Sequence, residues 1–436
     1  MNTMNHKMMK TLLACCLLLV AQLSVAGVKI EHWTATNGTR VYFVETRALP
    51  IIDVQVDFAA GSARDPADKP GLAQLTRGLM DLGAGEMDES AVSMKLADLG
   101  ARLGGGAETD RASVSLRTLA DQDKRTAAFE IMRLVIAKPR FPEPVFERER
   151  ARSLSALRES LTRPETIASR AFWSGLYGDH PYGRQPTVES LAAIKLDDLR
   201  DFHAANYTAR SAAVSIVGAL SRSEAEALAL QLTELLPAGG DAVAPPAVVL
   251  PKAGELRLPH HAAQAHIHVG LPALKRGDPD FYTLMVGNYS LGGGGFVSRL
   301  MKEVRDKRGF AYSVYSYFAP MKESGPFQIG LQTKRTQAND ALKVTRDVLQ
   351  QFIAEGPSDS ELKAAKANIV GSFPLRLDSN RKILDNVAVI GFYGLPLDYL
   401  DTYAANIQKV TAADVRAAFA RHVQAEHLVT VVVAGD

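Results

Sequence analysis

Four histidines, His260, His261, His266 and His268, fall within nine residues of this 436-residue chain. His266 and His268 stand two apart in a stretch that reads as a strand, so their rings point to the same side, as two metal ligands would. No acidic residue or cysteine lies between Arg257 and Asp278, so the local ligand set is incomplete and a structural role outweighs a metal site. His180, in the turn-like Gly178-Asp-His-Pro-Tyr-Gly183, reads as a loop packing residue. The four glycines Gly292, Gly293, Gly294 and Gly295 form another conspicuous cluster. A phosphate cradle would need Gly-Lys-Ser/Thr behind them, or Gly-x-Gly-x-x-Gly closing onto a helix. Neither is present, which leaves a close backbone approach or a flexible turn before a helix.

The elements around these residues follow from hydrophobic spacing. Val297, Leu300, Met301 and Val304 give an amphipathic helix that ends at Gly309. A strand follows from Phe310 to Phe318, with Phe310, Tyr312, Val314, Ser316 and Phe318 expected on one face. Earlier, Arg40 to Arg47 and Ile52, Val54, Val56 and Phe58 alternate with period two, while Leu72, Leu75, Leu79 and Leu82 have helical spacing. On that helix Gln74, Arg77, Gly78 and Asp81 read as the solvated face. Long helical patterns also fill 146–161 and 359–371. Strands joined by hairpin-length links, with helices gathered elsewhere, predict an α+β fold with mainly antiparallel sheets covered by helices.

The chain also repeats itself. Gly175-Leu-Tyr-Gly178 recurs as Gly391-Phe-Tyr-Gly394, displaced by 216 residues, and Asp198-Leu-Arg200 recurs at the same displacement as Asp414-Val-Arg416. Phe202 matches Phe419, and the apolar strand ending at Gly218 matches the one ending at Gly435, one residue further out of step. A half-length period is too long for a solenoid and implies two homologous domains. Pro237 to Pro251, rich in Pro, Gly and Ala without periodicity, is the natural linker. The expected division is 27–236, a linker over 237–251, and 252–436.

Lysine and arginine (50) nearly balance aspartate and glutamate (48), for a formal charge of +2. No basic field exists of the kind that binds nucleic acid or anionic membranes. Residues 1–26 read as a secretory signal peptide: His6, Lys7 and Lys10 precede an apolar run from Leu12 to Leu23, and Ser24-Val25-Ala26 supplies a cleavage point. The run is short for a membrane span, and Leu12-Leu-Ala-Cys15 is a weak lipidation signal. Cleavage after Ala26 would remove Cys15 and Cys16, the only cysteines. The expected product is periplasmic, with no membrane span and no thiol chemistry.

The stretch Gly61-Ser-Ala-Arg-Asp-Pro-Ala-Asp-Lys-Pro-Gly71-Leu-Ala-Gln-Leu-Thr-Arg-Gly-Leu-Met80 resembles the start of the pitrilysin/insulinase family of zinc metallopeptidases. His180-Pro-Tyr-Gly-Arg184, the run from Ile194 through Tyr207 to Gly218, and Leu291-Gly-Gly-Gly-Gly-Phe-Val-Ser-Arg-Leu300 leading to Tyr312 extend the resemblance over essentially all of the chain after residue 26. It implies a clam-like pair of homologous α+β domains. Active members carry His-x-x-Glu-His on the first helix after Gly-Leu-Ala, and the matching positions here are Gln74, Arg77 and Gly78. The family's third ligand, a glutamate, falls near Ser155. An amide, a guanidinium and a hydrogen do not replace two imidazoles and a base, so the resemblance implies a member that holds no zinc and is inactive alone.

The same resemblance assigns substrate binding to an arginine and a tyrosine seven apart, matching Arg305 and Tyr312, both able to donate hydrogen bonds to a peptide carbonyl or its oxyanion. Without it, they read as a helix-end arginine and a half-buried sheet tyrosine. The implied function is a non-catalytic subunit that binds peptide and completes the active site of a zinc-bearing partner of the same family, the zinc lying in the partner. The alternatives are a structural or peptide-holding protein with no part in catalysis, and, ranked last, a self-sufficient metallopeptidase.

Overall fold

The computed structural model describes residues 27–240 and 243–435; the signal-peptide reading of 1–26 lies outside them. Two sheets dominate. The first contains β1 (Glu31–Thr34), β2 (Arg40–Glu45), β3 (Ile51–Phe58), β6 (Arg102–Ala107), β7 (Ala112–Leu119) and β8 (Ala213–Gly218), in the order β1-β2-β8-β3-β7-β6. A short hairpin, β4 (Gly83–Ala84) with β5 (Met87–Asp88), stands apart from it. The second sheet contains β9 (Gly254–Pro259), β10 (Gln264–Leu274), β11 (Ala311–Phe318), β12 (Gly325–Lys334) and β13 (Val429–Ala434), in the order β11-β12-β10-β13-β9. In each sheet only one neighbouring pair is parallel, β2 with β8 and β9 with β13. Reversing the second order aligns it strand for strand with the first, β1 being the extra edge. The fold is α+β and duplicated in its topology.

The displacement seen in the sequence extends to whole elements. Helix Pro164–Tyr177 and helix Asn380–Tyr393 differ by 216 residues at both ends, as do helices Leu196–Asn206 and Ala412–His422 and strands β8 and β13. Each sheet packs one apolar face on its own helices. Val41, Phe43, Ile52, Val54, Val56 and Phe58 join Leu72, Leu75 and Leu79 in the first core. Ile267, Val269, Phe327 and Ile329 join Leu342, Leu349 and Phe419 in the second.

The opposite faces are covered by exchange. Helix Pro164–Tyr177 presses Ala168, Phe172 and Leu176 onto Val429, Val431 and Val433 of the second sheet. Helix Asn380–Tyr393 presses Leu384, Val387 and Ile390 onto Tyr42, Val44, Ala213 and Val217 of the first. The repeated glycines make this contact possible: a Cβ at Gly391 would lie 2.6 Å from the Tyr42 ring, and one at Gly175 would lie 3.0 Å from Val429 Cγ1.

Because both faces of β3 are covered, its polar residues are buried as well. Asp53 takes a two-point pair from Arg117 at 2.7 and 3.0 Å. Asp57 accepts from Gln55 Nε2 at 3.0 and 3.1 Å, with Arg111 Nη1 3.3 Å away. Such partners are what burial of a carboxylate requires.

Candidate functional site

Asp65 starts helix Leu72–Leu79: its carboxylate accepts the backbone N–H groups of Gly71 and Ala73, each at 2.7 Å. Leu72, Leu75 and Leu79 face the core, and Gln74 and Gly78 lie exposed one turn apart. Arg77 corrects the expectation of a solvated face. It is only 3 % exposed. Its Nε donates to the Ser113 carbonyl and its Nη2 to the Gly104 carbonyl, both at 2.6 Å, and Asp81 lies 3.8 Å from Nη1. The guanidinium therefore ties the helix to the β6–β7 hairpin at the edge of the sheet. Gly105 permits the approach, with φ +119°, where a Cβ would lie 2.9 Å from Arg77 Nη2.

Ser155 is exposed on helix Glu143–Ser160. The cavity beside Gln74 and Gly78, about 340 Å³, is lined from that helix by Glu149, Ser153 and Leu157, not by Ser155. Burial raises the Glu149 carboxyl, but hydrogen bonds from Arg148 (2.7 Å) and Arg152 (3.2 Å) outweigh it and leave its pKa below the usual range. Gln74, Gly78, Ser153 and one carboxylate held by two arginines do not make a zinc site, and a buried cation stands on the same helix.

The histidines have other partners. His268 Nδ1 accepts from Gln328 Nε2 at 2.8 Å, its ring centroid lies 5.5 Å from that of Phe172, and burial lowers its pKa to about 4. His266 is buried beside it on β10, and burial lowers its pKa too. His180 accepts the Tyr182 N–H at 3.1 Å and bonds the Pro246 carbonyl at 2.8 Å, packing loop against linker. Asp278, Asp280 and His422 are the one metal-like cluster among the described residues, and Arg421 already clamps Asp280 at 2.8 and 2.9 Å.

In the second half, the glycines form a packed turn. A Cβ at Gly292 would lie 2.7 Å from the Ser316 N and 2.8 Å from Leu300 Cδ1, and Gly295 takes φ +60°. Asn288 pins this turn to β11, donating to the Ser316 carbonyl at 3.0 Å and accepting from its hydroxyl at 2.6 Å. The expected helix is a wide π-type turn over Met301–Asp306, with Leu300, Met301 and Val304 buried and Val297 exposed.

The strand face also needs correction. A bulge falls between Ala311, opposite Thr333, and Val314, opposite Leu331, so residues 312 and 313 share one partner position. A bulge reverses the alternation. Tyr312 consequently leaves the face of Val314 and Ser316 and is 87 % exposed. Arg305 reaches it: the guanidinium carbon lies 5.5 Å from the Tyr312 ring centroid and 4.7 Å from that of exposed Phe296. Arg305, Tyr312 and the glycine turn thus form one surface, with Phe296 as a member that the sequence did not single out. A cation held over aromatic rings keeps N–H groups free for a ligand.

A duplicated α+β chain that keeps the metallopeptidase helix without its ligands has the features of an inactive peptidase homologue. The profile described as Insulinase (Peptidase family M16) matches residues 40–187, and the profile described as Peptidase M16 inactive domain matches 193–369. A solved structure of a peptidase M16 inactive domain from Pseudomonas fluorescens is 36 % identical, with a TM-score of 0.89 over 93 % of this chain and 98 % of that one. A non-peptidase homologue, YmxG of Helicobacter pylori, is 26 % identical over 90 % of this chain and 91 % of its own length. The periplasmic protease PqqL of Escherichia coli shares the fold at 14 % identity and a TM-score of 0.79, this chain spanning 46 % of it. The chain belongs to the M16, or insulinase, peptidase family, and on its own it is an inactive member.

Proposed function

We propose that this protein is the non-catalytic subunit of a periplasmic peptidase assembly, exported with cleavage after Ala26, that binds peptide and completes the active site of a zinc-bearing partner of its own family. Its halves would be 27–236 and 252–436, joined by 237–251. The observation that carries the reading is the contrast between Arg77 and the Arg305–Tyr312 pair. Arg77 has been drawn into the structure, where it bonds strand carbonyls. Tyr312 is exposed, and the half-buried Arg305 holds its guanidinium over the Tyr312 ring at the surface. Fixed donors aimed at an extended peptide and its oxyanion are what a cleft wall needs.

A second reading, a peptide holder with no part in turnover, draws support from β6, which lies at the open edge of the first sheet. Extended peptides add to such edges through main-chain hydrogen bonds. Affinity purification of the tagged chain from periplasmic extract, followed by metal analysis, separates the two. Recovery of an M16 partner with about one zinc per pair supports the subunit; recovery of peptides alone supports the holder.

A further inference from the structure

A cavity of about 440 Å³ opens where the two halves and the connecting segment meet. Arg40, Arg64, Arg210 and Lys322 line it, with Asp110 as the one acid among the lining residues. Asp110 is already engaged. Its Oδ1 accepts the Tyr182 hydroxyl at 2.5 Å, and its Oδ2 accepts the Tyr393 hydroxyl at 3.0 Å and the Lys322 N–H at 2.8 Å. The acid behind the wall, Asp57, is occupied by Gln55 and Arg111.

The cations are positioned by neutral groups. Arg40 donates to the Gly391 carbonyl at 3.0 Å, and Arg64 donates to the carbonyl of Val243 in the connecting segment. The stem of Arg210 lies over the turn at Gly38, whose φ is +89° and where a Cβ would come 3.0 Å from Arg210 Cγ. Carbonyl acceptors aim a guanidinium without cancelling its charge. Among the described residues none of the four cations has a carboxylate within ion-pair distance. Partial burial lowers the pKa of Arg64, as expected for a half-buried cation with no carboxylate in ion-pair distance.

We propose that this cavity binds a small phosphate-bearing polyanion, which bridges the two halves and the connecting segment. Four cations facing one saturated carboxylate call for a ligand with several negative charges, and guanidinium groups match phosphate oxygens in geometry. The volume suits a small molecule, and the 243–245 segment along one side favours a diffusible ligand over a long chain.

The test is calorimetric titration and thermal unfolding of the full chain with inorganic pyrophosphate, inorganic triphosphate and adenosine diphosphate, at constant ionic strength set with chloride. We expect saturable binding at one site per chain and a rise in Tm that grows with ligand concentration. Arg210→Glu with Lys322→Glu, both at exposed positions, should weaken binding by more than tenfold while leaving the ligand-free Tm in place. If that pair fails to fold, Arg210→Gln with Lys322→Gln should still weaken it several-fold. A preference for the inorganic ligands or for the nucleotide identifies the source, and either supports the site. No saturable binding, or equal affinity in the charge-altered chains, would overturn the proposal.

Discussion

Arg77 Nη2 donates to the carbonyl of Gly104 at 2.6 Å, so the residue at the position of the family's catalytic base is a structural cross-link between the first helix and the edge strand β6. The cross-link needs a long, forked donor and a glycine-rich strand beneath it.

Replacing Arg77 by Met should therefore destabilise the chain. It removes two charge-assisted hydrogen bonds and strips the Ser113 and Gly104 carbonyls of a buried donor. The expected loss is about 2–4 kcal/mol, read as a lower urea midpoint. An unchanged midpoint would mean that the guanidinium is dispensable.

Metal content gives a second check. The purified chain, dialysed against micromolar zinc and washed, should retain well under one zinc per molecule and should cleave no peptide, because Gln74, Gly78 and Ser153 offer no ligand set. A tightly held equivalent of zinc with chelator-sensitive hydrolysis would refute the assignment.

Asp57 sets a pH dependence. It is fully buried, and burial raises its pKa to about 6, against the pull of Arg111 and Gln55, from an ordinary value of 3.8. A carboxyl whose folded pKa is raised contributes most to stability below its unfolded pKa, and that contribution disappears as pH rises through the folded value. Asp57→Asn lacks this titration. Its stability relative to the parent should improve by roughly 2–3 kcal/mol between pH 4 and pH 7 and then level off. A relative loss over that interval would have the wrong sign.

Much of the architecture is legible in the sequence, for identifiable reasons. The Gly-x-Tyr-Gly repeat marks equivalent helices because each must bring backbone close to a foreign sheet, at Tyr42 for Gly391 and at Val429 for Gly175. Which sheet each helix covers is not legible, since helical periodicity reports an apolar face and not its destination. The burial of Arg77 is equally hidden, because its acceptors are main-chain carbonyls that leave no signature in residue types. Strict period-two alternation puts Tyr312 on the face of Val314, because a bulge leaves no mark in the alternation of residue types. Ser155 lies two residues from Ser153, which turns a side chain about 200° around a helix. That small offset separates the exposed side from the cavity.

The proposed role of this chain turns on whether Arg305 and Tyr312 work in catalysis from across the cleft. Tyr312→Phe is the sharper probe, since the ring is exposed and remains beside Arg305, and its effect on stability should stay within about 0.5 kcal/mol. The decisive measurement is kcat/KM for peptide cleavage by an assembly reconstituted from this chain and the zinc-bearing partner proposed for it. Loss of one oriented donor should lower turnover on the order of a hundredfold to a thousandfold, with partner binding unchanged. Turnover equal to that of the parent assembly, for both Tyr312→Phe and Arg305→Ala, would contradict the account and leave this chain a scaffold.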